Sequence, residues 1–309
     1  MSKTVGRKVR HGLEDVLSRE DNQSPEPLPS LAQSIQNISI LNQFREQIDF
    51  TLAEYISVHS MFTIVMDCNR ARHDPSSQLR ALVFQSWQNE LQHILEQFEV
   101  AIVEPLQASV PDIYLIYQTV LLSLRVPLGE LEIFAGRDGL KRSSDVYNNV
   151  IKHLSPTNLR QAIWHAGQVY RIVKSMPRGS LVGFCATCLY FAALTLWMYS
   201  NVCSAISLCL DTQQRNKEED LFVLDRQIDS LALRRFILSG LGFPALSSKD
   251  EPAYLNNSAA VMRLFQEVLW SKHPSGIVRS QTQALYNAFS ALGNDAGCHS
   301  SSREARGVL

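Results

Sequence analysis

LVGFCATCLYFAALTLWMYSNVCSAISLCL, residues Leu181 to Leu210, runs for thirty positions without one charged side chain. Wound as a helix, it places Leu181, Phe184, Cys188 and Phe191 on one side and Val182, Ala186, Ala193 and Trp197 on the other. A helix apolar all round has no solvent face, so it belongs in a protein core or in a bilayer. Leu181 to Tyr199 is long enough for a single span, since about twenty apolar residues cross the hydrocarbon layer. Against a span stand Gly183, Thr187, Thr195 and the polar tail Ser200, Asn201 and Ser204. The flanks also carry equal basic pairs, Lys174 and Arg178 before it and Arg215 and Lys217 after it, which set no orientation. The favoured reading is a central buried helix in a large α-helical domain, with a single-span membrane protein through 181–199 as a rival.

The neighbours can wrap such a helix. Ile38, Leu41, Phe44, Ile48, Leu52, Tyr55 and Ile56 recur every three or four residues, and Leu79, Leu82, Val83, Trp87, Leu91, Ile94, Leu95 and Phe98 repeat the pattern before Pro105. Pro111 opens a further helix through Tyr114, Ile116, Tyr117, Val120, Leu121 and Leu124. Ser155-Pro156-Thr157 combines a capping hydroxyl with proline at the first helical position. The helix it starts aligns Leu159, Ile163, Ala166, Tyr170 and Val173 inside, leaving Arg160, Gln161, Gln168, Arg171 and Lys174 outside. Leu221 to Leu238 predicts one more helix, closed by Gly240-Leu241-Gly242-Phe243-Pro244; Met262 to Leu269 and Thr282 to Leu292 are weaker helical stretches. No run alternates as strands do, and no fixed period repeats. The fold class is all-α, with residues 1–34 a flexible lead, 35–292 one helical domain and 293–309 a disordered tail.

Bulk properties fit a globular chain. Its 309 residues are 45% hydrophobic and 19% charged, enough for a sizeable core, and a net charge of −1 offers no global field for nucleic acid or anionic membrane. The amino terminus has basic residues, including Arg7-Lys8-Val9-Arg10-His11, but no apolar run behind them, which argues against a secretory signal. Cys68, Cys185, Cys188, Cys203, Cys209 and Cys298 lie mostly in apolar sequence and read as packing thiols.

Chemistry-bearing motifs are sparse. Cys185-Ala186-Thr187-Cys188 has metal-like spacing without a second pair, and Glu90-Leu91-Gln92-His93 has di-iron spacing without its second copy. No phosphate-cradling loop, nucleophile elbow or zinc-protease sequence occurs. The chain is read as not an enzyme, with no catalytic, cofactor-binding or metal-binding residue assigned and no cofactor. The enzymatic rival is a helical enzyme of specialised metabolism with a pocket lined by His93, Trp164 and His165.

Three stretches in order carry a resemblance: LRVPLGELEIFAGRDG (Leu124 to Gly139), LRQAIWHAGQVYRIVKSMP (Leu159 to Pro177) and LYFAALTLWMYS (Leu189 to Ser200). Together they resemble the fungal-specific transcription factor domain, the carboxy-terminal regulatory half of fungal zinc-finger transcription factors. The resemblance implies an α-helical regulatory domain in the nucleus, controlling transcription, often of a gene cluster for specialised metabolism. It implies partners in the transcription machinery and no membrane. Met1 to Ser34 holds no cysteine, so DNA contact depends on a zinc-finger region or a partner supplying it. The oligomeric state is left open.

Overall fold

The computed structural model describes residues 27–71, 78–103, 110–153, 155–207, 221–226, 230–249, 251–272 and 287–291. Ser30 caps the first helix: its hydroxyl accepts from the Gln33 N–H while the Gln33 side chain accepts from the Ser30 N–H. This box opens α1 (Leu31–Gln36), which starts within the stretch 1–34 read as a lead and runs past its end, followed by the short α2 (Ile40–Gln43) and the long α3 (Phe50–Ala71). Next come α4 (Gln78–Phe98), running into a π-helical turn (Glu99–Val103), then α5 (Pro111–Arg125), α6 (Leu128–Phe134) and α7 (Leu140–His153). The carboxy-terminal part holds α8 (Pro156–Ser175), α9 (Phe184–Ser207), β1 (Leu221–Val223), α10 (Leu231–Ser239), β2 (Phe243–Leu246), β3 (Ala253–Tyr254) and α11 (Ser258–Lys272). The amino-terminal residues 1–26, the polar run Gln213 to Asp220 and the tail from Gly293 lie outside the described residues, as does most of Thr282 to Leu292.

Helix α5 organises the packing. Pro111 starts it without needing a donor at that position, and every residue from Ile113 to Leu124 is buried. Its closest neighbours are α8 and α3, with α9 also against it. The charge-free helix α9 is packed by α8, α11, α5 and α6, and residues Ala192 to Ser200 are buried. Its Trp197 ring lies 5.0 Å from that of Phe134. No described helix is long and apolar enough to cross a membrane. The order of elements is that of an all-α fold with one small three-stranded sheet added.

That sheet corrects one expectation. Leu221 to Leu238 is not a single helix: Leu221–Val223 is a strand, and α10 starts only at Leu231, its amino end capped by the Ser230 hydroxyl. The strand order is β1-β2-β3, parallel between the first two and antiparallel between the last two. The strands are two to four residues long, too short for alternation to show in sequence. Gly240 ends α10 at φ +75°, the left-handed turn that glycine accommodates at a helix carboxyl end.

Helix α8 holds this sheet through residues that read as solvent-facing. Gln168 is buried, and its Nε2 donates to the carbonyls of Leu224 (2.7 Å) and Arg226 (2.9 Å). Arg171 Nε donates to Gln168 Oε1 at 2.8 Å, fixing the amide. Arg160 donates to the carbonyls of Ile237 (2.8 Å) and Leu238 (3.3 Å), covering the carboxyl end of α10 where unpaired carbonyls gather. Lys174 Nζ donates to Ser247 Oγ (2.7 Å) and lies 3.6 Å from the buried Asp225 carboxylate, which accepts from the Ser247 N–H. The face is polar because it meets backbone carbonyls and polar side chains of the sheet segment. Ser155 does occupy the cap position of α8, but its hydroxyl makes no capping bond.

Gly167 lets this contact close. A Cβ there would sit 2.5 Å from Leu224 Cβ and 2.8 Å from the Leu224 carbonyl oxygen. The His165-Ala166-Gly167-Gln168 sequence is thus a docking surface for the β1 segment, with a missing Cβ beside a two-carbonyl grip.

One core group stands apart. Glu54, on the inner face of α3, is fully buried, and among the described residues neither carboxyl oxygen has a hydrogen-bond partner. Burial raises its pKa from 4.5 to about 7, opposed by the Arg45 charge.

Two predictions follow from these contacts. Gly167→Ala should cost about 2 to 3 kcal/mol in chemical denaturation, because the β1 segment must be pushed away, whereas Gly129→Ala, with nothing within 4 Å, should cost nothing measurable. For Glu54, the folded pKa lies above the unfolded one, so its contribution is complete below pH 4.5 and is lost as pH rises to about 7. The stability of Glu54→Gln relative to the parent chain should therefore rise by about 2 kcal/mol between pH 5 and pH 8, after allowance for solvent screening; a difference independent of pH would contradict the burial of a neutral acid.

Candidate functional site

The residues singled out from sequence do not converge. His93 is exposed on α4, its Nε2 2.9 Å from Gln97 Nε2, and Glu90 is exposed one turn before it. His165 lies on α8, where its Nδ1 meets Gln118 Oε1 of α5 at 2.9 Å. Burial and the Arg125 charge lower its pKa to about 3, so it is a neutral structural imidazole. Trp164, beside it, is half-buried against the core. His93 thus lies on the outside of α4, while His165 turns to α5.

The paired cysteines are buried on α9. Burial pushes the Cys185 thiol up to about 11, with the Asp112 charge adding to it, and pushes Cys188 up as well. Both thiols are thus protonated packing groups in the chain as it stands. Among the described residues, no group of three or more His, Cys, Asp or Glu side chains is placed to hold a metal ion.

The structure offers instead a groove on the outside of α3. It encloses about 450 Å³, opens broadly to solvent and is lined by Leu52, Tyr55, Ile56, His59, Ser60 and Thr63. Leu52, Ile56 and Ile64 are 55%, 45% and 37% exposed, an apolar strip along one helix face. Two features hold it in place. The inner face of α3 buries Val58, Met61 and Val65, seating the helix against α5. The Asp49 carboxylate accepts from the Leu52 N–H at 3.0 Å, fixing the first turn.

Three hydroxyls of the groove are bonded within the protein. Tyr55 OH donates to Asp112 Oδ2 at 3.2 Å, and its pKa is pushed up to about 12 by burial and then by Asp112. Burial lowers the pKa of His59, whose ring lies 4.9 Å from that of Phe184 at the start of α9. Ser60 Oγ donates to the Ile56 carbonyl (2.7 Å) and Thr63 Oγ1 to the His59 carbonyl (3.0 Å). With its phenol protonated and its hydroxyls bound to the helix's own backbone, the groove lacks an activated nucleophile. What it offers is apolar area, which suits a packing partner better than a reaction.

Leu52, Tyr55 and Ile56 entered the sequence reading only as core-facing periodic positions. The signal that distinguishes them is charge: from Phe50 to Met66 the single formally charged residue is Glu54, and it faces inward. A helix with one such buried charge over that length has more apolar surface than one core-facing stripe uses.

Comparison with known proteins gives a limited match. No protein-family model matches the chain, and no solved structure matches it significantly. The chain is 26% identical over 171 residues to "Transcription factor 1" of Elsinoe fawcettii, a match that covers 54% of this chain and 16% of that protein. This chain therefore spans only a small part of that relative's length, and over that part it is similar to a fungal transcription factor.

Proposed function

We propose that the chain is a transcriptional regulator, acting in the nucleus on a fungal gene cluster for specialised metabolism through protein contacts of its α-helical domain. The observation that carries this reading is the similarity to Transcription factor 1 over 54% of the chain. Two structural features support it. The three stretches that resemble the fungal-specific transcription factor domain occupy adjacent elements: α6 with its following turn, α8, and α9. The exposed groove of α3 is apolar and without a nucleophile, as a protein-contact surface is. In this reading DNA is reached through zinc fingers in the same regulator or through a DNA-binding partner.

Tethering tests the regulator reading. The full chain fused to an unrelated DNA-binding domain should change transcription of a reporter carrying that domain's site by several-fold, upward or downward, against the DNA-binding domain alone. Deletion of the gene should change transcripts of a contiguous set of biosynthetic genes, and a fluorescent fusion should accumulate in the nucleus. A fusion that is expressed and folded yet leaves both activation and repression reporters unchanged would contradict the proposal.

A further inference from the structure

Arg125 is a half-buried cation whose hydrogen-bonding fork is only half used. It stands in the last turn of α5, where the carboxyl end of a helix favours a positive charge. A guanidinium presents Nε–H and an adjacent Nη–H along one edge, the fork that takes both oxygens of a carboxylate. Here Nη2 donates to Gln92 Oε1 of α4, while Nε is buried and has no hydrogen-bond partner among the described residues. None of the ion pairs among the described residues includes Arg125. Burial depresses its pKa and the Glu96 charge opposes that, but Glu96 is exposed and the Gln92 amide links the two, its Nε2 donating to Glu96 Oε1 at 2.9 Å. A guanidinium stays charged, and a charge withdrawn from water calls for a counter-ion.

The seam around this cation is polar and open. Gln118 stands seven residues before Arg125, on the same face of α5. It meets His165 Nδ1 of α8 at 2.9 Å, and Gln88 Nε2 of α4 donates to the Leu124 carbonyl at 3.2 Å. The Arg125 charge acts on His165 and helps to keep that ring neutral. Gln88, Gln92, Arg125 and His165 are each half-buried, so the seam reaches the surface. We propose that this seam of α4, α5 and α8 binds a small organic acid, whose carboxylate takes both Nε and Nη2 of Arg125 and displaces Gln92 Oε1.

The donor set selects the ligand class. One unused N–H beside one held by a neutral amide matches a planar monoanion with two oxygens. A phosphate dianion asks for more positive charge and more donors, whereas the rest of this seam is amides and a neutral imidazole. Exchanging the amide oxygen for a carboxylate makes the bond to Arg125 roughly twice as strong. Gln92 is half-buried, so its displaced carbonyl turns to water. The inference stands on these three helices alone and is independent of the regulatory role.

Isothermal titration calorimetry of the full chain tests it, with acetate and benzoate as probes, phosphate as the competing class and chloride matched throughout. The parent chain should bind a carboxylate probe at one site, and Arg125→Gln should weaken that binding by about tenfold or more. Gln92→Glu places a carboxylate of the chain's own at the same fork. It should abolish binding of the probe and raise the unfolding temperature. This variant decides the matter even where thermal unfolding shows that Arg125→Gln does not fold. A parent chain that binds neither probe overturns the proposal, as does one that binds phosphate alone. Binding unchanged in folded Arg125→Gln overturns it too, and so does a Gln92→Glu chain that is less stable than the parent or still binds the probe.

Discussion

The enclosure of α5 is the constraint on which the rest of the molecule depends. Twelve consecutive residues, Ile113 to Leu124, have no solvent face, so the helix must be surrounded on every side before any of its burial is realised. Helices α3, α8 and α9 supply that surround. Its internal polar groups are satisfied locally: the Thr119 hydroxyl donates to the Leu115 carbonyl, Ser123 to Val120, and Gln118 meets His165. Asn69 of α3 donates to the Ser123 carbonyl at 2.7 Å, tying the two helices near the carboxyl end of α5. Burial without these bonds would cost about 1–3 kcal/mol for each orphaned group. The neutral imidazole of His165 fits this interior, because a charged ring beside Arg125 would set two cations side by side.

From this centre the molecule grows outward through two different surfaces. Helix α8 turns its apolar stripe to α5 and its polar stripe to the sheet segment, so Arg160, Gln168 and Lys174 grip backbone carbonyls and Asp225 while Arg171 fixes the Gln168 amide. Helix α3 does the reverse: it turns one apolar stripe to α5 and leaves another, Leu52-Ile56-Ile64, in solvent. The first surface finishes the fold, and the second leaves apolar side chains exposed. A regulator that works by protein contacts needs such a surface more than it needs reactive groups, and this is where structure and proposed function meet.

The helices were legible where punctuation was strong. Pro111 and Ser155-Pro156 fix the starts of α5 and α8, and Gly240 fixes the end of α10. The central place given to the charge-free stretch was legible too, although α5, whose sequence contains Asp112 and Arg125 only at its ends, is the more completely enclosed. Periodicity misled where polarity was equated with solvent. Gln168 is polar and buried because it meets carbonyls, while Leu52 and Trp87 are apolar and exposed. The three strands carried no pattern, since a strand of two to four residues is set by its neighbours rather than by alternation. The groove was hidden for a related reason: one helix bearing two apolar stripes gives the same spacing as one bearing a single broad stripe.

The central claim is that α5 is the structural centre, and native-state hydrogen exchange of the full chain measures it most directly. The account predicts that amides of Ile113 to Leu124 exchange last, with α8 close behind and α3 sooner, since its outer face is open. If α9 or α3 were protected well beyond α5, the centre would lie elsewhere, and the wrapping order argued for this fold would be wrong.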